Sequence, residues 1–151
     1  MILIGIDPGK DTGLAIWDAS FRRCFIDVKT CGIVEAMARI REMDLRSIGA
    51  VFMEDARLRK YLPQEKSNSD YRGKLMGAGS IKRDSAIWEE FCKYYNIPLV
   101  KLKPAQGMTK WTQDYFEKVT GWKGRTSHHC RDAALLVFGK TSQSIKNIIV
   151  K

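Results

Sequence analysis

The sequence predicts an α/β fold built on a mixed five-stranded sheet, its first three strands antiparallel, with helices flanking it. Three observations carry that expectation: apolar runs of strand length open the chain, the apolar spacing then changes to three and four residues, and strand-like runs alternate with helical ones thereafter. Ile2 to Asp7 is a short apolar run closed by Pro8 and Gly9, and a glycine-containing turn leads to a second run, Gly13 to Trp17. A third strand is expected over Arg22 to Lys29, where Cys24, Ile26 and Val28 alternate with Phe25, Asp27 and Lys29. Thr30 or Gly32 opens a helix to about Met43, since Ile33, Ala36, Met37 and Ile40 recur at helical spacing. Ile48 to Met53 suits a buried strand and runs on into Glu54 and Asp55. The right-handed crossover rule sets this strand parallel to the first and beside it.

The polar, basic residues from Ala56 to Tyr71 read as a mobile loop. A long helix is expected from about Arg72 to Asn96, with Gly77, Ile81, Ser85, Trp88, Cys92 and Tyr95 on one face. Two readings of that face stay open: packing on its own sheet, or a two-fold contact with a second copy. Ile97 to Lys103 gives a fifth strand, closed by Pro104, and two helices follow, about Thr109 to Val119 and Ser127 to Lys140.

With 151 residues, the chain is expected to form one domain over 1–151 with a core of its own. The 26 Lys and Arg against 17 Asp and Glu, a formal charge of +9, favour a polyanionic partner, either nucleic acid or an anionic membrane surface. No run approaches the roughly 18 apolar residues that cross a bilayer, so a soluble, cytoplasmic protein is expected. Cys24, Cys31, Cys92 and Cys130 are scattered without a CxxC pair, which reads as reduced structural thiols rather than a disulfide framework or zinc knuckle.

Asp7 ends the first expected strand and Glu54 ends the fourth, so neighbouring strands would bring two carboxylates to one sheet edge. Such acids repel unless a cation lies between them, and hard oxygen donors suit Mg²⁺ or Mn²⁺. His129 and Asp132 are three residues apart on an expected helix and share a face, which His128 also shares with Asp132. Each has an ordinary explanation as well. Asp7 before Pro-Gly is a turn former, Glu54 a solvated acid, Asp132 the partner of an arginine, and His129 a surface or core histidine. It is the joint pattern that points to a metal-dependent site. Asp11 and Asp55 read as turn and surface acids.

Ile4-Gly5-Ile6-Asp7-Pro8-Gly9, followed by Thr12-Gly13 and a second strand, resembles the opening of the RuvC Holliday-junction resolvases of the RNase H-like superfamily. The later landmarks keep the family's order: an apolar strand ending in Glu54, Gly77-Ala78-Gly79 in a long helix, a strand ending at Pro104, and His129-Cys130-Arg131-Asp132-Ala133-Ala134-Leu135 as the terminal helix. The resemblance covers about residues 2 to 140. It implies a Mg²⁺-dependent endodeoxyribonuclease, with Mn²⁺ as a substitute, that resolves four-way DNA junctions as a homodimer.

Asp7, Glu54, His129 and Asp132 are then the catalytic, metal-holding set, with Asp7 bridging two ions and Glu54 and Asp132 each completing one coordination sphere. Imidazoles titrate near neutrality, so His129, or its neighbour His128, could ligate, position water or protonate the leaving group. Backbone binding would fall to Arg57, Arg59, Lys60, Tyr61, Lys66, Arg72, Lys74, Lys82, Arg83, Lys101, Lys103 and Lys110.

Two departures stand out. The family's aromatic residue shortly after the second acid has no counterpart in Asp55-Ala56-Arg57-Leu58, which leaves Leu58, Arg59 or Tyr61 to open the junction. The basic segment after Pro104 is short, with Lys110 the best match to the family's lysines. Such brevity resembles phage-encoded members and argues against a branch-migration motor as partner. Two other readings stand beside this one: an RNase H-like nuclease acting on RNA, and a catalytically silent junction-binding protein. Two-domain ATPases with a similar first turn need a longer chain.

Overall fold

A computed structural model describes residues 1–20, 22–59, 69–104, 110–143 and 145, with the backbone alone for 69–75 and 78. The elements are β1 (Ile2–Asp7), β2 (Thr12–Asp18), β3 (Cys24–Cys31), α1 (Ile33–Arg41), β4 (Ile48–Glu54), α2 (Ser69–Tyr94), β5 (Leu99–Leu102), α3 (Gln113–Thr120) and α4 (His128–Leu135), with short 3-10 turns at Leu45–Ser47 and Ala56–Leu58. The five strands form one sheet in the order β3-β2-β1-β4-β5. Pairings β1–β2 and β2–β3 are antiparallel, whereas β1–β4 and β4–β5 are parallel. This is the expected mixed sheet, with β4 parallel to β1 and beside it, as expected.

Several boundaries differ from expectation for local reasons. Arg23 takes a left-handed conformation (φ 47°), so the β2–β3 turn extends through it and β3 begins at Cys24. Asn96, also left-handed (φ 54°), lies beyond α2 and stops it short of the expected end. Thr112 caps α3, its Oγ1 accepting from the Tyr115 N–H at 3.2 Å, so that helix starts four residues after Thr109. Gly121 (φ 74°) then closes it. The chain after α4 continues as turns to Gly139 (φ 72°) rather than as helix. Part of the expected loop is ordered: Ala56–Leu58 is a 3-10 turn and α2 begins at Ser69. The rest of that loop, residues 60–68, lies outside the described residues.

Because side chains alternate across a strand, each strand feeds two cores. Leu3, Ala15, Ala50 and Phe52 face α3 and α4, packing with Phe116, Cys130, Ala133, Ala134 and Val137. Ile4, Ile6, Leu14, Val51 and Met53 face α1 and α2, packing with Ala36, Ile40, Trp88, Phe91 and Cys92. Trp88 is fully buried, so its stretch of α2 packs on the sheet, whereas Ile81 of the same helix is exposed. Among the described residues, no helix is long and apolar enough to cross a membrane.

Candidate active site

The two-residue period decides which way the strand-end acids point. Asp7 follows Leu3 and Gly5 in phase, and Glu54 follows Ala50 and Phe52, so both face α4. Asp55 is in phase with Val51 and Met53 and belongs to the α2 face.

Two glycines let α4 come close enough to meet the acids. A Cβ on Gly5 would collide with the backbone carbonyl of Ala133, and one on Gly13 with that of His129. With no side chain in either place, the α4 backbone lies directly on β1 and β2. The helix start is tied further by Thr30 Oγ1 and Ser127 Oγ, 2.5 Å apart, and by the Ser127 N–H donating to Cys130 Sγ at 3.2 Å. Cys130 is thus a structural thiol, as expected.

Asp7, Glu54, His129 and Asp132 line one cavity of about 450 Å³, together with Pro8, Ala56, Arg59, Gly77, Ile81, Lys82 and Lys110. His129 Nδ1 lies 2.9 Å from Asp7 Oδ2, and Lys110 Nζ donates to Asp132 Oδ2 at 2.6 Å. Burial raises the Asp7 carboxyl above the usual range against the opposing influence of His129, with the charge of Asp132 adding to the rise. Burial likewise raises Glu54, reinforced by the negative charges of Asp7 and Asp132.

The donor chemistry, three carboxylates and an imidazole, fits a hard divalent cation. The arrangement is a paired one, with Asp7 on His129 and Asp132 on Lys110. Among the described residues, no three His, Cys, Asp or Glu side chains already converge as a metal-holding group.

His128 lies against His129, ring centroids 4.0 Å apart and planes tilted by 38°, but is exposed and does not line the cavity. Arg131 does not pair with Asp132: its Nε donates to the Trp111 carbonyl and its Nη1 to the Thr126 carbonyl, both at 2.8 Å. Asp11 is exposed, as expected. Asp55 is a correction, because it is 1% exposed rather than at the surface. Its carboxylate accepts a bidentate pair from Arg57, whose Nε and Nη2 donate at 2.9 and 2.7 Å.

Of the expected backbone-binding residues, Arg59, Lys82 and Lys110 rim the cavity. Arg83 and Lys103 are exposed without lining it. Arg57 and Lys101 are engaged with acids, both of them reaching Glu89. Lys60, Tyr61 and Lys66 lie outside the described residues, as do the side chains of Arg72 and Lys74.

Sequence reasoning missed Glu89, the Lys110–Asp132 pair and the seating role of Gly5 and Gly13. The two glycines carried a readable signal, since small residues two apart from core positions on a strand mark a close backbone approach.

The sheet order, with helices on both faces, defines an RNase H-like α/β fold with an acidic cavity at the carboxyl ends of β1 and β4. No family model matches the chain, and no curated protein does. Among solved structures it is similar to T. thermophilus RuvC in complex with Holliday junction substrate, with 15% identity, 91% of each chain covered and a TM-score of 0.52. At that identity the likeness is one of fold, and the fold is RuvC-like.

Proposed function

We propose that residues 1–151 act as one RNase H-like nuclease domain, a structure-selective endodeoxyribonuclease that cuts four-way DNA junctions with Mg²⁺, or Mn²⁺ in its place. The observation that carries this reading is the convergence of Asp7, Glu54, His129 and Asp132, from three separate elements, on one cavity rimmed by Arg59, Lys82 and Lys110. The junction-bound state of the similar RuvC structure supports the choice of substrate.

Asp7, Glu54 and Asp132 would hold the cation, whose charge would offset the burial and mutual repulsion that raise two of them. When bound, such an ion supplies Lewis acidity for attack of water on phosphorus and for departure of the 3′ oxygen. Asp7 orients His129 through Nδ1, which leaves Nε2 to take or give a proton at the reacting oxygen. Lys110, released from Asp132, and Lys82 and Arg59 neutralise the phosphates that enter the cavity. The net charge of +9 draws in the polyanion.

A four-way junction has two-fold symmetry, so we propose a homodimer with two sites for paired cuts. The exposed aromatic end of α2, with Tyr94 77% exposed beside Phe91 and Tyr95, offers an apolar patch for that contact. The short basic segment after Pro104 supports a compact, phage-type member that works in the cytoplasm without a branch-migration motor.

A cleavage panel of four-way, three-way, flap and linear DNA, with an RNA–DNA hybrid beside them, tests the assignment. Symmetric Mg²⁺-dependent cuts are expected on the four-way junction. Preference for RNA would replace the resolvase by an RNA-processing nuclease, and junction binding without cutting would replace it by a silent binder. Asp7→Asn should abolish cutting while leaving junction binding intact; unchanged cutting would remove the metal-site argument.

A further inference from the structure

Beside the cavity, four charged side chains form a linear chain across three elements. Asp55, just past β4, accepts from Arg57 Nε and Nη2; Arg57 Nη2 also donates to Glu89 Oε2 on α2 at 2.7 Å; and Lys101 Nζ on β5 donates to Glu89 Oε1 at 2.9 Å. We infer that Arg57 is a positioning residue rather than a phosphate ligand: clamped between Asp55 and Glu89, it sets Glu54 and Arg59 against the α2 wall of the cavity.

The inference rests on the reading of that cavity as the cutting site, and on four observations. First, Asp55 is 1% exposed, so an arginine drawn off to a phosphate would leave a buried carboxylate unpaired.

Second, the segment joining Glu54 to Arg59 is a single 3-10 turn, an element too short to hold its own orientation. Asp55 fixes it from within, its Oδ1 accepting from the Arg57 N–H at 2.9 Å and its carbonyl from the Leu58 N–H at 3.0 Å. The Asp55 N–H donates to the Leu102 carbonyl at 2.8 Å, tying the same turn to β5.

Third, Glu89 sits seven residues beyond Lys82 on one continuous helix, about two turns and about 10 Å along its axis. A rigid helix anchored at Glu89 carries Ile81 and Lys82 to a fixed distance from Glu54 across the cavity. Fourth, the two acids and two bases cancel in formal charge, so the chain acts on the cavity through geometry more than through field.

The test uses the full-length chain and the variants Arg57→Ala, Arg57→Lys and Glu89→Ala. Its readouts are kcat and KM on a four-way junction, the salt dependence of junction binding, and Mn²⁺ titration calorimetry without DNA. In Arg57→Ala, kcat should fall about 10- to 100-fold, the cost of misplacing a reacting group by roughly 1 Å. KM and the salt slope should stay as in wild type, and Mn²⁺ affinity should drop about 10-fold with Glu54 misaimed. Arg57→Lys should recover part of kcat, since lysine restores the charge without the bidentate fork.

Wild-type kcat with a raised KM and a salt slope reduced by about one would overturn the inference in favour of a direct phosphate contact. Should Arg57→Ala fail to fold, Glu89→Ala carries the test, because it spares the Asp55–Arg57 pair: a smaller loss confined to kcat is expected, and wild-type kcat overturns the inference. If wild type binds Mn²⁺ but cuts no junction, the resolvase reading falls while the titration still decides on Arg57, unchanged Mn²⁺ affinity in Arg57→Ala counting against it. A wild-type chain that neither cuts nor binds Mn²⁺ overturns both.

Discussion

Glu54 and Asp55 are neighbours in the chain and opposites in their surroundings. Glu54 faces α4 and the cavity, where burial and two other acids push its carboxyl up. Asp55 faces α2, where the Arg57 guanidinium pulls its carboxyl down although the residue is almost fully buried. On one face the buried acid thus meets a bidentate arginine, while on the other Glu54 sets only the unbonded charges of Arg59 and Lys110 against two neighbouring acids. Burial of a carboxylate alone therefore does not mark a functional acid. What separates the two residues is whether the counter-charge is hydrogen-bonded to the carboxylate.

The largest effect should come from lifting one face and sparing the other. Gly13→Ala drives a methyl group into the His129 carbonyl, so α4 must shift off β2, at a cost of about 3 kcal/mol. Hydrogen exchange should accelerate in α4 and stay slow around Trp88 in α2, and cutting should be lost; equal acceleration on both faces would break the comparison.

Next in size, Asp55→Ala removes the buried member of the pair, while Arg57 keeps Glu89, and should lower stability by about 2 kcal/mol, or roughly 4–8 °C in melting temperature. An unchanged melting curve would mean that the Asp55 face is no better paired than the cavity face.

A smaller effect, of opposite sign, distinguishes Glu54. A carboxyl raised in the folded state favours folding below its ordinary value of 4.5, and that contribution is lost as pH rises through the raised value. At pH 7 and without metal, Glu54→Gln should therefore melt about 1–3 °C above wild type, with the gain vanishing as pH falls below 4.5. Asp55, being lowered, contributes stability above its ordinary 3.8 that is lost on acidification through the lowered value. Asp55→Asn should accordingly be destabilising at pH 7 and converge on wild type in strong acid. Added Mg²⁺ should stabilise wild type more than Glu54→Gln.

The smallest effect belongs to Lys110. Its pair with Asp132 is 62% exposed on the lysine side and worth about 0.2–1 kcal/mol, so Lys110→Ala should barely move the melting temperature. It should nevertheless reduce the salt slope of junction binding by about one.

The acids at the strand ends were legible because an Asp or Glu closing an apolar run is a local pattern. The placement of β4 beside β1 was legible from the handedness of the crossover. The third element of the site was legible only as a helix face, because the spacing of His129 and Asp132 does not say what that face meets. Asp55 was misread for a related reason. Strand alternation puts it opposite Glu54, but nothing local reveals that Glu89, more than thirty residues later, brings Arg57 a second acid.

By itself, then, the sequence determined the order and type of the elements, the two acids at neighbouring strand ends and the basic charge that suits a polyanion, all of which follow from short-range periodicity and composition. Only the tertiary structure decided which acids share a cavity, which cations already have partners, and how closely α4 can lie on the sheet. Those are contacts between residues far apart in the chain, and their energies depend on burial and distance, which no local pattern encodes.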